Sequence, residues 1–219
     1  MFFHTHPYEP FIPENATKLI VGTLPPPRFT TGELKVNDVD FCYGSRNGLL
    51  WPVLDKLFDL DLKFENTIEA IEQRKRFLIK RGIGICDVVQ SSQRDKIDAS
   101  DLGMENVELR NMTEILRQHP KIDTMLFTGG NSKNGPEYFF RKHLKQHPEE
   151  ISLKLVSGEV PRIYQFFLEG RLIKTVSLTA PSGSANRAIG SMKLYKTLKK
   201  RNPEFNTIDF RVLQYNGFF

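Results

Sequence analysis

Apolar runs along the chain alternate with segments of helical periodicity. In chain order, strand-like runs occupy residues 18–23, 83–89, 124–128 and 173–179, and helical patterns cover residues 49–58, 67–81, 107–118, 136–146 and 188–201. This alternation favours a mainly parallel sheet with helices on both faces. Residues 162–168 and 172–178 flank Glu169-Gly170-Arg171 and are typical of a hairpin that adds an antiparallel strand. We therefore predict an α/β fold, a three-layer α/β/α sandwich.

Composition adds a mild preference for an anionic partner. The 219 residues fit a single domain, and the Pro- and aromatic-rich residues 1–16 are expected to form an extension packed on its surface. Lys and Arg number 31 against 26 Asp and Glu, a net charge of +5. Cys42 and Cys86 are too few for a disulfide framework or for the four ligands of an iron–sulfur cluster. We expect a monomer without a cofactor.

Other patterns argue against membrane and metal partners. No apolar run is long enough to span a bilayer, and the first residues lack a signal-peptide pattern, so we expect no membrane association. The expected location is the cytoplasm, on the nucleoid of a bacterium, or the nucleus of a eukaryote. His143 and His147 have the spacing of a zinc pair, but Leu144 stands where a catalytic Glu would be, so no metal site is predicted. His4 and His6 are expected to be exposed.

Two short loops each follow a strand-like run: the first Pro-rich loop, residues 22–27, and the Pro-Ser loop, residues 180–186. Residues 22–27 are Gly-Thr-Leu-Pro-Pro-Pro, and residues 180–186 are Ala-Pro-Ser-Gly-Ser-Ala-Asn. Proline fixes φ and glycine permits close backbone approach, so such loops present rigid edges of N–H groups and hydroxyls. Because ligands of open α/β sheets bind outside the carboxyl ends of the strands, we predict that the two loops face each other across a binding crevice.

Two further segments carry candidate chemistry. Residues 40–54 form an aromatic-bearing loop that leads into an apolar helix. We expect Trp51 to lie in the core and Tyr43 to stack on a planar base, while Asn47 either caps the helix or takes part in chemistry. Asp87 stands in an otherwise apolar strand, where an unpartnered carboxylate is costly. It either accepts hydrogen bonds from the backbone of a neighbouring loop or positions a water molecule.

Together these segments resemble the uracil-DNA glycosylase superfamily, nearest to its mismatch-specific thymine/uracil and hypoxanthine branches. Residues 22–25 are similar to the first motif, residues 43–51 to the segment after it, residues 82–102 to the middle strand and loop, and residues 180–186 to the DNA-insertion loop. The resemblance spans about residues 18–200. It implies a monofunctional DNA glycosylase of base-excision repair that hydrolyses the N-glycosidic bond of hypoxanthine or mismatched uracil in double-stranded DNA.

The chain departs from that superfamily at three positions important for catalysis. Leu24 stands where many members carry a water-orienting Asp or Asn, and Ala180 where uracil-specific members carry a His. Gly48 stands at the position of the hypoxanthine-type Asn, with Asn47 one residue away. An alternative is therefore a non-catalytic member of the same fold that binds nucleic acid or a nucleobase. A hydrolase of free nucleosides is a third, weaker alternative.

The resemblance and the residues together assign a set of candidate roles. Asn47, and after it Asp87, are the candidates to position the attacking water. The predicted base pocket comprises Gly22, Thr23, Leu24, Pro25 and Tyr43. The predicted DNA-binding residues are Ser182, Gly183, Ser184, Ala185, Asn186, Arg187, Lys196 and Lys200. The last two lie on a basic helix directly after the insertion loop, and its charged face is either solvated or in contact with DNA.

Overall fold

The computed structural model describes residues 1–146 and 151–219. Its strands are β1 Phe2–Thr5, β2 Lys18–Val21, β3 Ile83–Ile85, β4 Val89–Arg94, β5 Glu105–Leu109, β6 Thr124–Phe127, β7 Lys154–Ser157, β8 Arg162–Leu168 and β9 Arg171–Ser177. Its helices are α1 Pro27–Thr31, α2 Leu50–Phe58, α3 Ile68–Arg81, α4 Met112–Gln118, α5 Pro136–Gln146, α6 Asn186–Ser191, α7 Lys193–Arg201 and α8 Thr207–Tyr215. Single 3₁₀ turns cover Asp101–Gly103 and Gly183–Ala185. None of the helices in these two ranges is long and apolar enough to cross a membrane.

A six-stranded sheet in the order β3-β2-β6-β9-β8-β7 forms the middle layer. Strands β3, β2, β6 and β9 are parallel, whereas β8 runs antiparallel to both β9 and β7. The predicted parallel sheet with an added hairpin is thus confirmed. Glu169 and Gly170 form the turn between β8 and β9 and have φ angles of 49° and 78°, the left-handed geometry of a two-residue hairpin turn.

Alternate residues of the central strands contribute to two different apolar clusters. Ile20 of β2 belongs to the cluster that contains Trp51 of α2 and Phe77 of α3. Its neighbour Leu19 belongs to the cluster that contains Leu116 of α4 and Phe140 of α5. Because successive side chains of a strand point to opposite faces, helices cover both faces of the sheet. This arrangement confirms the three-layer sandwich.

Three predicted elements have different bounds in the structure. The predicted strand over 83–89 is divided, because β3 ends at Ile85 and β4 begins at Val89. The predicted helix over 107–118 begins at Met112, where the Asn111 side chain caps it by accepting from the Glu114 amide. The predicted helix over 188–201 is interrupted at Met192, whose ψ of 133° is extended and separates α6 from α7.

A second, antiparallel sheet in the order β1-β4-β5 was not predicted. It brings the amino-terminal residues into the structure as a strand, with Phe2 paired to Arg94 and Thr5 to Ser91. The expectation that His4 and His6 are exposed is wrong, since they are 0% and 8% exposed. The physical reason is hydrogen bonding within the fold: Arg94 Nε donates to His4 Nδ1 at 2.8 Å, and His6 lies against Asp87.

Candidate functional site

The loops that follow β2, β3, β6 and β9 lie at one edge of the central sheet, because these strands are parallel neighbours. Hydrogen bonds continue across this edge beyond the strands themselves. The Val88 amide donates to the Gly22 carbonyl at 2.9 Å, and the Thr128 amide donates to the Val21 carbonyl at 2.9 Å. The first Pro-rich loop therefore lies between the loop of Asp87 and the loop of Thr128.

Asp87 lies in the break between β3 and β4 and is 7% exposed. Its Oδ1 accepts from the Gly22 amide at 3.0 Å, and its Oδ2 is 3.0 Å from His6 Nε2. Of the two roles open to Asp87, hydrogen bonding to the backbone of a neighbouring loop is thus present in the structure. A role in positioning water stays a prediction.

Tyr43 lies directly over the first Pro-rich loop. Its hydroxyl is 3.0 Å from Thr128 Oγ1, and its φ of 58° is in the left-handed region, which is unusual for a bulky residue. A Cβ at position 22 would overlap the Tyr43 hydroxyl and lie 2.8 Å from Asp87 Oδ1, so only glycine fits there. Burial, together with nearby Asp87, raises the pKa of Tyr43 well above its usual value, so the hydroxyl stays protonated as a donor.

An ion pair with a buried carboxylate anchors the loop that carries Tyr43. Arg28 donates to Asp38 through Nε at 2.6 Å and Nη2 at 2.8 Å, and the Arg46 amide donates to the same carboxylate at 2.8 Å. Burial raises the pKa of Asp38, but these donors outweigh it and lower the pKa to about 2.

Trp51 is 1% exposed and donates to the Cys42 carbonyl at 2.8 Å, which confirms its expected core position.

Asn47 lies in the same loop with its side chain exposed. Helix α2 is capped at Leu49 without a side-chain hydrogen bond, so the capping role considered for Asn47 is wrong. The Asn47 amide donates to Ser45 Oγ at 3.3 Å. Directly after it, Gly48 forms a β-bridge with Ser182, and the Leu49 amide donates to the Pro181 carbonyl at 2.9 Å. The loop of Tyr43 and the Pro-Ser loop are therefore in direct contact.

The Pro-Ser loop has a buried support that the sequence did not indicate. Arg211 of α8 is 0% exposed. It donates to the carbonyls of Ala180 at 3.0 Å and Ser182 at 2.7 Å, and to Asn186 Oδ1 at 3.0 Å. Burial lowers the pKa of this guanidinium from its usual value. Helix α8 was not predicted, so no pattern in the sequence pointed to Arg211.

The predicted DNA-binding residues lie on this loop or follow it along the chain. Gly183 and Ser184 are exposed, and Ser182 Oγ lies 2.7 Å from Ser184 Oγ. Ala185 ends the 3₁₀ turn, Asn186 begins α6, and exposed Arg187 follows it. Lys196 and Lys200 are exposed on α7, next to Lys199, which donates to the Pro203 carbonyl at 2.6 Å. Exposed cations thus follow the loop along the chain.

Other predicted pocket residues turn toward different partners. The Thr23 hydroxyl donates to Asp101 Oδ1 at 2.9 Å, whereas Leu24 packs against the apolar cluster of α4 and α5. Pro25 is half-buried.

Burial raises the pKa of Asp101 to about 6, although the hydrogen bond from Thr23 and the charge of Arg94 each lower it. A carboxyl group with a pKa near neutrality is suited to general acid–base chemistry, and sequence reasoning assigned no role to Asp101.

No group of three or more potential metal ligands lies together within residues 1–146 and 151–219. His143 Nε2 lies 3.3 Å from Thr113 Oγ1. His147, the other histidine of the considered zinc pair, lies outside the described residues. The expected absence of a metal stays a prediction.

Comparison with known proteins supports the fold. No protein-family model matches the chain, and no curated protein matches it. A solved structure does match: the solution NMR structure of a candidate uracil DNA glycosylase from Methanosarcina acetivorans, at 16% identity and a TM-score of 0.53. The match covers 96% of this chain and 99% of that one. The two proteins share a fold. At 16% identity this likeness is one of fold alone.

Proposed function

We propose that the protein is a DNA glycosylase that hydrolyses the N-glycosidic bond of a deaminated base in double-stranded DNA. Hypoxanthine and mismatched uracil are the proposed substrates, and repair by base excision is the proposed process. The observation that carries the proposal is the contact of Gly22, Tyr43 and Asp87 at the sheet edge that also holds the Pro-Ser loop. Under this proposal the protein acts as a monomer wherever the DNA is, in the bacterial cytoplasm or the eukaryotic nucleus.

The surface supports binding to a phosphate backbone. The Ser182 and Ser184 hydroxyls and exposed Arg187 lie beside or directly after one loop, and Lys196 and Lys200 follow on α7. Contacts of this kind fix the position of a duplex and carry no sequence information. In our proposal they hold the DNA on either side of the lesion, while Ala185 and Asn186 fill the space that a flipped base leaves in the stack.

The pocket side of the site supports capture of the extruded base. Flipping a base out of a duplex costs a few kcal/mol, and stacking on an aromatic ring returns about 1–3 kcal/mol of that cost. Tyr43 is proposed as the stacking ring, and the Thr23 and Leu24 amides of the first loop as donors to the base. The contact of the Tyr43 hydroxyl with Thr128 would fix the orientation of the ring.

The proposed reaction is hydrolysis at C1′ of the sugar. Water attacks C1′ as the C1′–N bond breaks; the electron pair of that bond leaves with the base, which gains a proton, and the water loses one. Asn47, exposed beside the Pro-Ser loop, is the first candidate to position this water, and Asp87 is the second. An amide such as Asn47 can only orient the water, whereas a carboxylate such as Asp87 can also accept its proton; groups positioned in these ways contribute about 10²–10⁴-fold to rates of this kind.

A second candidate function is binding without chemistry, and specific observations favour it. Leu24 packs into an apolar cluster, and Ala180 has only a methyl group to present. Both carboxylate oxygens of Asp87 already accept hydrogen bonds from within the protein. A site with these features can hold a nucleobase and lack a group that assists its departure.

A panel of substrates tests the proposal. Duplex oligonucleotides with one uracil, hypoxanthine or xanthine are incubated with the protein beside the corresponding free nucleosides, and released base is quantified by chromatography. The proposal requires release from a duplex that carries hypoxanthine or uracil. Release of base from free nucleosides alone would show that the protein is a nucleoside hydrolase. Tight binding of damaged duplexes without release of base would show that it binds DNA without catalysis.

A further inference from the structure

The amino-terminal segment reaches the candidate site through His6. Its backbone amide donates to the Gln90 carbonyl at 2.8 Å, just beyond the pairing of β1 with β4. Its ring is 3% exposed and is held at both nitrogens: Nδ1 lies 3.1 Å from the Tyr8 amide nitrogen and 2.8 Å from the Tyr8 carbonyl oxygen, and Nε2 lies 3.0 Å from Asp87 Oδ2. The position and orientation of this imidazole are therefore fixed by the fold.

The two oxygens of Asp87 face different parts of the molecule. A carboxylate only accepts hydrogen bonds, so Nε2 of His6 carries the proton in this contact and donates it to Oδ2. The other oxygen, Oδ1, accepts from Gly22 and lies beside the Tyr43 hydroxyl. Because Gly22 bonds one oxygen and His6 the other, a rotation of the carboxylate would break both hydrogen bonds.

We infer that His6 is a positioning residue of the candidate site, which acts through Asp87 on the first Pro-rich loop and on Tyr43. The amino-terminal segment is then part of the site, although the sequence motifs begin at residue 22. The consequence for DNA rests on the proposed function: His6 affects discrimination between damaged and undamaged bases, and leaves binding through the phosphates unchanged.

Two amide variants separate this role from simple packing. In His6→Gln the side-chain N–H₂ group reaches about as far as Nε2 and can donate to Asp87. In His6→Asn the side-chain amide corresponds in position to Nδ1, can bond the Tyr8 backbone through its oxygen or its N–H₂ group, and does not reach Asp87. The two side chains differ by one methylene. Tyr8→Phe is the control on the same segment, because it loses only the 2.7 Å hydroxyl bond to Asp40.

The first readout needs no DNA. The ¹H–¹⁵N spectrum of the labelled protein reports the Gly22 amide, whose proton shift depends on its bond to the Asp87 carboxylate. The wild-type, His6→Gln and Tyr8→Phe proteins are expected to share this resonance position, and His6→Asn to move it. If the Gln and Asn variants behave alike, whether folded or unfolded, the inference is overturned.

The second readout is the ratio of Kd values for an undamaged duplex and a hypoxanthine duplex. His6→Asn is expected to lower this ratio about tenfold, as expected for loss of a hydrogen bond to a charged group, and His6→Gln to preserve it. Equal ratios in the wild-type protein and His6→Asn would overturn the inference while leaving the proposed function standing. A wild-type protein without discrimination would instead refute the proposed function, and the Gly22 resonance would still decide the role of His6.

Discussion

Buried carboxylates and their donors determine the loop conformations around the candidate site. Asp87 accepts from Gly22 and His6, and Asp38 accepts from Arg28 and the Arg46 amide. A buried carboxylate without such donors has a large desolvation cost, so each pairing favours one loop conformation over its alternatives. At the scale of residues, the site is therefore preorganised by charge-assisted hydrogen bonds.

Substitution of Tyr43 tests the proposed stack. Tyr43→Ala is expected to weaken binding to a hypoxanthine or abasic duplex by about 1–3 kcal/mol, because the ring can no longer stack on the base. Tyr43→Phe is the matched control, since it keeps the ring and loses the hydroxyl contact with Thr128. Affinities are measured by fluorescence anisotropy, with circular dichroism as the check of folding. Unchanged affinity in a folded Tyr43→Ala protein would remove Tyr43 from the site.

Asp101 and His4 give opposite pH dependences of stability. Burial raises the pKa of Asp101 from 3.8 to about 6, so its contribution to stability is present below the unfolded pKa and is lost as pH rises through about 6. Burial, Arg94 and His6 lower the pKa of His4 from 6.5 to about 4, so its contribution is present above the unfolded pKa and is lost as pH falls through about 4. The two effects offset each other in the wild-type protein.

Asp101→Asn is expected to reveal this balance. The variant keeps an acceptor for the Thr23 hydroxyl, but its side chain cannot ionise. The difference between its free energy of unfolding and that of the wild-type protein should therefore increase from about pH 4 to about pH 7, by up to about 3 kcal/mol. Urea unfolding at several pH values across this window measures the difference. Asp95→Asn, at an exposed carboxylate, is the control. A difference from wild type that does not vary with pH would contradict the assigned shift.

At the scale of elements, two helices support the Pro-Ser loop in different ways. Helix α8 lies behind it and supplies Arg211, while α6 begins at Asn186 within it. Helix α7 then carries the exposed lysines. The loop is thus held from inside by one guanidinium, and its neighbouring surface is cationic.

Substitution of Arg211 tests the support. Arg211→Lys cannot serve the carbonyls of Ala180 and Ser182 together with Asn186, so it should lower the free energy of unfolding by about 1–3 kcal/mol and speed amide exchange in residues 180–186. Hydrogen exchange with mass spectrometry measures this. Arg171→Lys is the control, because Arg171 also donates to carbonyls but lies at the start of β9. Equal protection of residues 180–186 in both variants would contradict the role of Arg211.

Helix α7 is tested through the salt dependence of DNA binding. Each neutralised phosphate contributes about −0.9 to the slope of log K against log salt. Lys196→Gln with Lys200→Gln is expected to flatten that slope by up to about 1.8 and to leave base preference unchanged. The double variant at exposed Lys142 and Lys145, toward the end of α5, is the control. A wild-type slope near zero would argue against a nucleic-acid partner.

The elements differ in how far local sequence determines them. Strands β2 and β6 were predictable because strands covered on both faces are continuous apolar runs. Strand β9, with the mixed sequence Arg-Leu-Ile-Lys-Thr-Val-Ser, was indicated by the hairpin turn that precedes it. Strand β4 was not, since its sequence Val-Gln-Ser-Ser-Gln-Arg is largely polar and its geometry comes from pairing with β1 and β5. The loops of the site were marked by motifs. The contacts that hold them were not, because His6 and Asp87 are 81 residues apart, and Arg211 and Ala180 are 31 apart.

At the scale of the whole molecule, both ends of the chain contribute to one sheet edge. His6, near the amino terminus, contacts Asp87, and Arg211, near the carboxyl terminus, contacts the Pro-Ser loop. Between them, the loops after β2, β6 and β9 meet because those strands are adjacent and parallel. The fold shared with the Methanosarcina protein thus provides the sheet edge, and residues outside the recognised motifs determine its detailed geometry.

Single-turnover excision distinguishes the proposed glycosylase from a protein that only binds damaged DNA. Protein in excess is mixed with a duplex that carries one hypoxanthine or one uracil, and base release is followed over many hours. We predict slow release, because Leu24 and Ala180 supply no polar group. Asn47→Ala should lower the rate at least about 10²-fold and leave lesion binding within about tenfold. Stable binding of these duplexes by the wild-type protein, with no base released, would contradict the proposed catalysis.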